Sequence, residues 1–167
     1  SCILKASGEV LDLSEENMKN LMAYYSDYGR NIRAPNDGGD NDMPVGYLVS
    51  WLGPVSEDDE KYDDLSHISP VLKSLMHVQN VLFLKRDNFT DNNPIKQAIL
   101  KYGAVATTMF YNISYVYKYG GKNIVYHCYE GNSSINHAVT IVGWDDTLKV
   151  NGKAGAWIVK NSWGPNW

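Results

Sequence analysis

Residues 136–144 (NHAVTIVGW) and residues 156–164 (AWIVKNSWG) decide how the second half of this chain is expected to fold. Each stretch contains a short apolar and β-branched run of strand length, and turn residues separate the two runs. His137 comes directly before the first run, and Asn161 comes directly after the second. If the two runs pair as adjacent antiparallel strands, His137 and Asn161 meet at one end of the pair.

The second half of the chain carries further strand signals around one predicted helix. Asn92, Asn93 and Pro94 supply a cap residue and then a proline, which is typical of a helix start, and Gly103 is placed to end that helix. Segments of β-prone composition are expected to form strands at residues 78–84, 104–111 and 124–129.

The first half of the chain carries helix and loop signals instead. Ser14 is a good N-cap, and Glu15 and Glu16 favour the positive end of the helix that follows. We expect helices at residues 1–7, after Ser14, and at about 43–51. The sequence therefore predicts an α+β fold of two lobes with a groove between them. A helical and loop-rich lobe covers residues 1–76, and an antiparallel β lobe covers residues 77–167.

Composition narrows the possible functions. The chain has 167 residues, of which 44% are hydrophobic and 20% charged, so it can bury a core. Lys and Arg total 15 against 19 Asp and Glu, and this net charge of -4 argues against a nucleic-acid partner. No apolar run reaches the length of about 18 residues that a membrane span needs. Both ends look cut, so we expect a piece of a longer protein with further domains.

His137 and Asn161 are the candidate catalytic residues. A histidine that acts as a base must be held in one tautomer and one orientation, and the carbonyl of an asparagine can do this by accepting a hydrogen bond from the ring. Because asparagine carries no charge, it suits a histidine cation that stands beside a thiolate. Trp163 is expected to cover the pair and exclude water. The other histidines are interpreted as structural: His67, His77 and His127.

These motifs resemble the histidine and asparagine segments of the papain-like cysteine peptidases, the C1 family. The likeness is carried by NHAV at 136–139, VGW at 142–144 and NSWG at 161–164. Weaker likenesses extend it over most of the chain, at residues 3–8, 13–16, 38–39, 95–99 and 103–105. The insertions and the many asparagines and tyrosines look more like prokaryotic or archaeal members than animal cathepsins. The resemblance implies a papain-like fold with a helical left lobe and an antiparallel, β-barrel-like right lobe, truncated at both ends.

The family's cysteine nucleophile is missing from its expected setting. The family carries it at the N-terminus of a long central helix, in a Gly-Ser-Cys-Trp type of sequence. Cys2 is followed by Ile3, has no glycine before it, and lies in a helix that Gly8 is expected to end. Cys128 is interpreted as a core thiol or a disulfide partner. Matching the family's spacing puts the nucleophile roughly a dozen residues before Ser1, so these residues alone are expected to be inactive.

The resemblance implies hydrolysis of peptide bonds by a Cys-His-Asn triad, in which His137 moves protons and Asn161 orients it. It implies substrate binding by Gly38, Gly39, Ile135, Ala138 and Trp163. From the residues alone, the glycine pair could instead be a flexible loop, and Ile135 and Ala138 could be ordinary strand packing. No metal or cofactor is required, the partner is a peptide or protein, and the implied location is extracellular or at the cell surface.

Two other functions remain open at this stage. The chain could be a non-catalytic papain-like surface or adhesion module that has lost the nucleophile. It could also be a different Cys-His-Asn/Asp acyltransferase, such as a transglutaminase-like enzyme, although the NSWG motif at 161–164 makes this the weaker alternative. The residue found at the nucleophile position separates an enzyme from a binding module.

Overall fold

The structure, a computed structural model, describes residues 1–23, 25–29, 34–35, 37–63, 65–88, 90–119, 123–126, 134–150 and 152–164. The chain divides into two compact units. One is Val10–Phe83, and the other combines Ser1–Glu9 with Leu84–Trp167. The lobe boundary between residues 76 and 77 remains a prediction.

The described residues form both helices and strands, as an α+β fold requires. In chain order they are α1 (Cys2–Ser7), α2 (Glu15–Leu21), α3 (Asp42–Val49), α4 (Asn93–Tyr102), β1 (Val105–Met109), a 3-10 turn (Ile113–Tyr115), β2 (Val116–Tyr119), β3 (Asn123–Tyr126), β4 (His137–Val150) and β5 (Lys153–Lys160). None of the helices in these ranges is both long and apolar enough to cross a membrane.

An apolar core between α2 and α3 holds the unit Val10–Phe83 together. Ser14 caps α2 as predicted, because its hydroxyl accepts a hydrogen bond from the backbone N–H of Asn17 at 3.1 Å. Leu21 and Met22 then pack with one buried residue of α3 and one that follows it. The buried members of this core are Leu21, Met22, Tyr47 and Leu52.

The opposite face of α2 is buried as well, although it is polar. Glu16, Asn17 and Asn20 are at most 1% exposed. Asn17 donates to the carboxylate of Glu60 at 2.7 Å and accepts from the hydroxyl of Tyr47 at 2.6 Å. Burial, reinforced by the negative charge of Glu60, raises the pKa of Tyr47 to about 12. This network ties the acidic loop at residues 57–60 to the helix.

A three-stranded antiparallel sheet with the order β1-β4-β5 forms the centre of the other unit. Helix α4 packs on it through Ile95 and Ile99, which join Ile141 of β4 in the core. Gly103 ends α4 in the left-handed conformation, with φ 96°, as the sequence predicted. Strands β2 and β3 form a separate antiparallel pair.

The described strands depart from the sequence predictions in three ways, of which the first is that β2 was not predicted at all. Residues 78–84 are not a strand; Leu82 and Phe83 are 55% and 76% exposed. A β-prone composition is not enough to form a strand here, because no described strand pairs with this segment. An extended segment without a hydrogen-bonded partner strand gains little stability. In addition, the three-stranded sheet has β1 and β5 at its edges and is open, not closed into a barrel, over the described residues.

Candidate active site

The antiparallel pairing of β4 and β5 brings His137 and Asn161 together. Thr140 of β4 pairs with Lys160 of β5, so His137, the first residue of β4, and Asn161, the residue after β5, converge. Nε2 of His137 lies 3.0 Å from Oδ1 of Asn161, and both side chains are partly buried. The structure therefore confirms that these two distant residues meet at one end of the strand pair.

The orientation of the Asn161 carboxamide determines which ring nitrogen of His137 carries the proton in this contact. Oδ1 of Asn161 also accepts a hydrogen bond from the backbone N–H of Ser162 at 2.8 Å. Because a backbone N–H can only donate, the atom facing it is the oxygen, and Nε2 of His137 must donate to that same oxygen. Within the described residues Nδ1 has no hydrogen-bond partner, so it is available to a reacting group.

The indole of Trp163 covers one face of the His137 ring. The two ring centroids are 4.5 Å apart with an interplanar angle of 27°. Trp163 itself is 42% exposed, so it lies between the imidazole and solvent on that side. Trp163 thus lies over the His137 ring, while the exclusion of water from the hydrogen bond between His137 and Asn161 stays a prediction.

Two further residues support this group and were missed by the sequence reasoning. Asn136 holds the backbone of Tyr111 with two side-chain hydrogen bonds, of 2.7 Å and 2.9 Å. The ring of Tyr111 lies edge-on to Trp163 at 4.6 Å and tilted against His137 at 5.9 Å. In the sequence, the available signal for this contact was that a polar residue, Asn136, comes directly before His137. Only the register of β1 on β4 shows that Asn136 contacts Tyr111.

The other predicted binding residues are exposed. Ile135 is 66% exposed and Ala138 is also exposed, on either side of His137 in the chain. Gly38 and Gly39 are exposed too, and Gly38 has φ 73°, a conformation that favours glycine. The glycine pair belongs to the unit Val10–Phe83, whereas His137 belongs to the other unit.

Comparison with known proteins shows the family. The sequence model described as "Papain family cysteine protease" matches residues 1–167. The chain belongs to the papain family of cysteine proteases.

Mouse pro-cathepsin H is 26% identical over 170 residues, which cover 100% of this chain and 47% of that protein. Human cathepsin O is 47% identical over 49 residues, 29% of this chain and 13% of that protein. The chain thus spans about half the length of the pro-cathepsin it matches.

A solved structure shows that the fold is papain-like. The crystal structure of the cysteine protease and lectin-like domains of Cwp84, a surface layer associated protein of Clostridium difficile, has a TM-score of 0.84 to this chain at 29% identity. The match covers 97% of this papain-family chain and 37% of that one. The papain-like α+β fold predicted from the sequence is therefore confirmed, and the chain belongs to a family of hydrolases that act on proteins.

The other candidate groups of this papain-family domain have structural partners. The exposed Cys2 has its Sγ 3.5 Å from the carbonyl oxygen of Ala104. His77 stacks on Trp51 with centroids 4.4 Å apart, and the carbonyl of His67 accepts a hydrogen bond from a tyrosine hydroxyl. In the ranges described above, no three His, Cys, Asp or Glu side chains converge to hold a metal ion. His127 and Cys128 lie outside the described residues.

Proposed function

We propose that this domain is the histidine and asparagine half of a Cys-His-Asn peptidase site, and that the parent protein supplies the cysteine from a segment before residue 1. The observation that carries the proposal is the hydrogen bond from Nε2 of His137 to Asn161, which leaves Nδ1 available. Membership of the papain family supports the thiol as the partner for that nitrogen. On this proposal the present residues are inactive alone.

The proposed reaction is acyl transfer to a thiolate followed by hydrolysis. The thiolate sulfur attacks the carbonyl carbon of the peptide, and the His137 cation donates the proton on Nδ1 to the leaving amine as the C–N bond breaks. The neutral imidazole then takes a proton from water at Nδ1, and the hydroxide adds to the thioester, which expels the thiolate. Throughout both steps Asn161 accepts the hydrogen bond from Nε2 and keeps the ring in place.

For substrate binding we propose the exposed groups that the fold does not use in its core. Gly38 and Gly39 present bare backbone that an extended peptide can pair with. Ile135 and Ala138 present apolar surface on either side of His137, which favours an apolar pocket over ordinary core packing. The description of Cwp84 as surface layer associated supports an extracellular or cell-surface location and further domains in the parent protein.

Active-site labelling of the full-length protein tests this proposal. A peptide carrying a thiol-reactive electrophile should modify one cysteine outside residues 1–167, and His137→Ala should slow that reaction strongly. His77→Ala is the matched control, because His77 stacks on Trp51 in the other unit and should leave labelling unchanged. Rapid modification of Cys2 would reassign the nucleophile. If no cysteine reacts faster than a free thiol, the non-catalytic surface module becomes the better description.

A further inference from the structure

The side chain of Asn136 extends the pairing of β1 and β4 past its last backbone pair. That last pair is Met109 with His137. Beyond it, Oδ1 of Asn136 accepts from the backbone N–H of Tyr111 at 2.7 Å, and Nδ2 donates to the Tyr111 carbonyl at 2.9 Å. The backbone N–H of Asn136 also donates to the carbonyl of Met109 at 3.2 Å. The carboxamide thus takes the place of a strand partner, and it fixes the backbone of Tyr111 beside His137.

The ring of Tyr111 contacts two other aromatic rings. It stacks with Tyr126 at 5.5 Å, and the hydroxyl of Tyr126 donates a hydrogen bond to the carbonyl of Phe110 at 2.6 Å. It also meets Trp163 edge-on, at 4.6 Å and 75°. Edge-to-face geometry is one of the two favoured arrangements of aromatic pairs. The ring of Tyr111 therefore links the indole of Trp163 to a tyrosine that is hydrogen-bonded to the backbone.

Trp163 needs such support because it follows the last strand residue of β5, Lys160, by three positions. Its ring is 42% exposed and stacks on His137 at 4.5 Å. Asn136 thus contacts Tyr111, Tyr111 contacts Trp163, and Trp163 contacts His137. Since His137 is covalently joined to Asn136, this series of contacts is closed. Removing the Tyr111 ring breaks this series of contacts, because it takes away the edge contact between that ring and the indole.

We propose that Tyr111 is a positioning residue for His137. Its ring holds Trp163 over the imidazole and so keeps water from competing for the hydrogen bond between His137 and Asn161. The role is indirect, because the ring acts through Trp163 and not on the substrate. This inference rests on the proposed function, in which His137 transfers protons.

The test compares Tyr111→Phe, Tyr111→Ala and Asn161→Ala in the full-length protein, singly and with Tyr111→Ala and Asn161→Ala combined. We expect Tyr111→Ala to lower kcat about tenfold with little change in KM, and Tyr111→Phe to retain about half of the rate or more, because the ring is kept. In the Asn161→Ala background, Tyr111→Ala should cost less than about twofold, since the hydrogen bond it protects is already gone. Tyr102→Ala, which removes a ring that is 39% exposed at the end of α4, is the matched control and should leave kcat unchanged.

A second measurement does not depend on turnover. The exchange of the Nε2 proton of His137 with water, followed by NMR on histidine labelled with nitrogen-15, should be about tenfold faster in Tyr111→Ala and unchanged in Tyr111→Phe. If Tyr111→Ala does not fold, Tyr111→Leu takes its place and should show the same acceleration. Unchanged exchange in a folded variant that lacks the ring contradicts the proposal.

The outcomes separate this inference from the proposed function. If His137→Ala abolishes hydrolysis while Tyr111→Ala matches the unmodified protein in kcat and in proton exchange, only the role of Tyr111 is wrong. If Tyr111→Ala lowers kcat equally with and without Asn161, the ring acts elsewhere and the inference also fails. If His137→Ala hydrolyses peptides normally, the proposed function fails, and proton exchange alone then decides the role of Tyr111.

Discussion

Oδ1 of Asn161 accepts two hydrogen bonds, one from Nε2 of His137 at 3.0 Å and one from the backbone N–H of Ser162 at 2.8 Å. The second bond fixes the carboxamide, and the fixed carboxamide fixes the tautomer of the ring. Asn161 is therefore an acceptor whose orientation is set by the backbone N–H of the next residue. The proton-transfer role proposed for Nδ1 depends on this arrangement.

Asn161→Ala should leave a reduced but measurable peptidase activity in the full-length protein. The ring of His137 keeps its stack with Trp163 but loses its acceptor, so we expect kcat to fall about tenfold to a hundredfold with KM little changed. Steady-state kinetics on a peptide substrate measures both constants. Asn93→Ala, at the exposed start of α4, is the matched control and should behave like the unmodified protein. An Asn161→Ala variant with full activity would contradict the orienting role.

Asn136→Ala should destabilise the fold because it removes both hydrogen bonds to the backbone of Tyr111. For an exposed site we expect a loss of about 1 kcal/mol in the free energy of unfolding, measured by urea denaturation. Asn136→Asp keeps an acceptor for the Tyr111 N–H but places a carboxylate oxygen against the Tyr111 carbonyl, so its loss should be at least as large as that of the alanine variant. An aspartate variant as stable as the unmodified protein would count against this account of the contact.

From the raised pKa of Tyr47 we expect the folded protein to lose stability at alkaline pH. Its pKa is raised to about 12 by burial and by the charge of Glu60, against an ordinary value of 10.0. The folded state therefore favours the neutral phenol, and the stabilisation is complete below pH 10.0 and lost as the pH rises from there to about 12. Denaturant unfolding across this range should show a weaker pH dependence for Tyr47→Phe. Tyr28→Phe, at a site 52% exposed, should keep the dependence of the parent chain; equal slopes for the two variants would refute the assignment.

Gly38 and Gly39 should respond differently to alanine. Gly38 has φ 73°, so Gly38→Ala should cost about 1 kcal/mol of stability through its backbone conformation alone. A Cβ on Gly39 would lie 2.8 Å from the flexible sulfur of Met43, which can move, so Gly39→Ala should cost less. If the pair binds the peptide backbone as proposed, Gly39→Ala should raise KM even under conditions in which the variant is fully folded. Unchanged KM in a stable Gly39→Ala variant would remove Gly39 from the substrate site.

The site was predictable from sequence where it depends on local pattern. His137 and Asn161 flank two apolar runs whose composition predicts strands, and the cap of α2 at Ser14 follows from residue type. Tyr111 was not predictable, because its place beside Trp163 depends on the register of β1 on β4, which composition does not set.

The burial of the polar face of α2 also could not be predicted from the sequence. Glu16 was interpreted as a charge that favours the helix N-terminus, yet it is 1% exposed, because Asn20 and Lys19 supply its partners at 2.8 Å and 2.9 Å. Its neighbour Asn17 is buried by contacts with Glu60, which is far away in sequence. Periodicity identifies an apolar face of a helix, but it does not reveal that loop residues will cover the polar one.

The most direct test of the central claim is the kcat/KM of His137→Ala for peptide hydrolysis by the full-length protein, with folding checked by circular dichroism. If His137 transfers the protons, a folded variant should lose about a thousandfold or more, because alanine has no group that can carry a proton at the position of Nδ1. A folded His137→Ala variant whose kcat/KM stays within about tenfold of the unmodified protein would contradict the account.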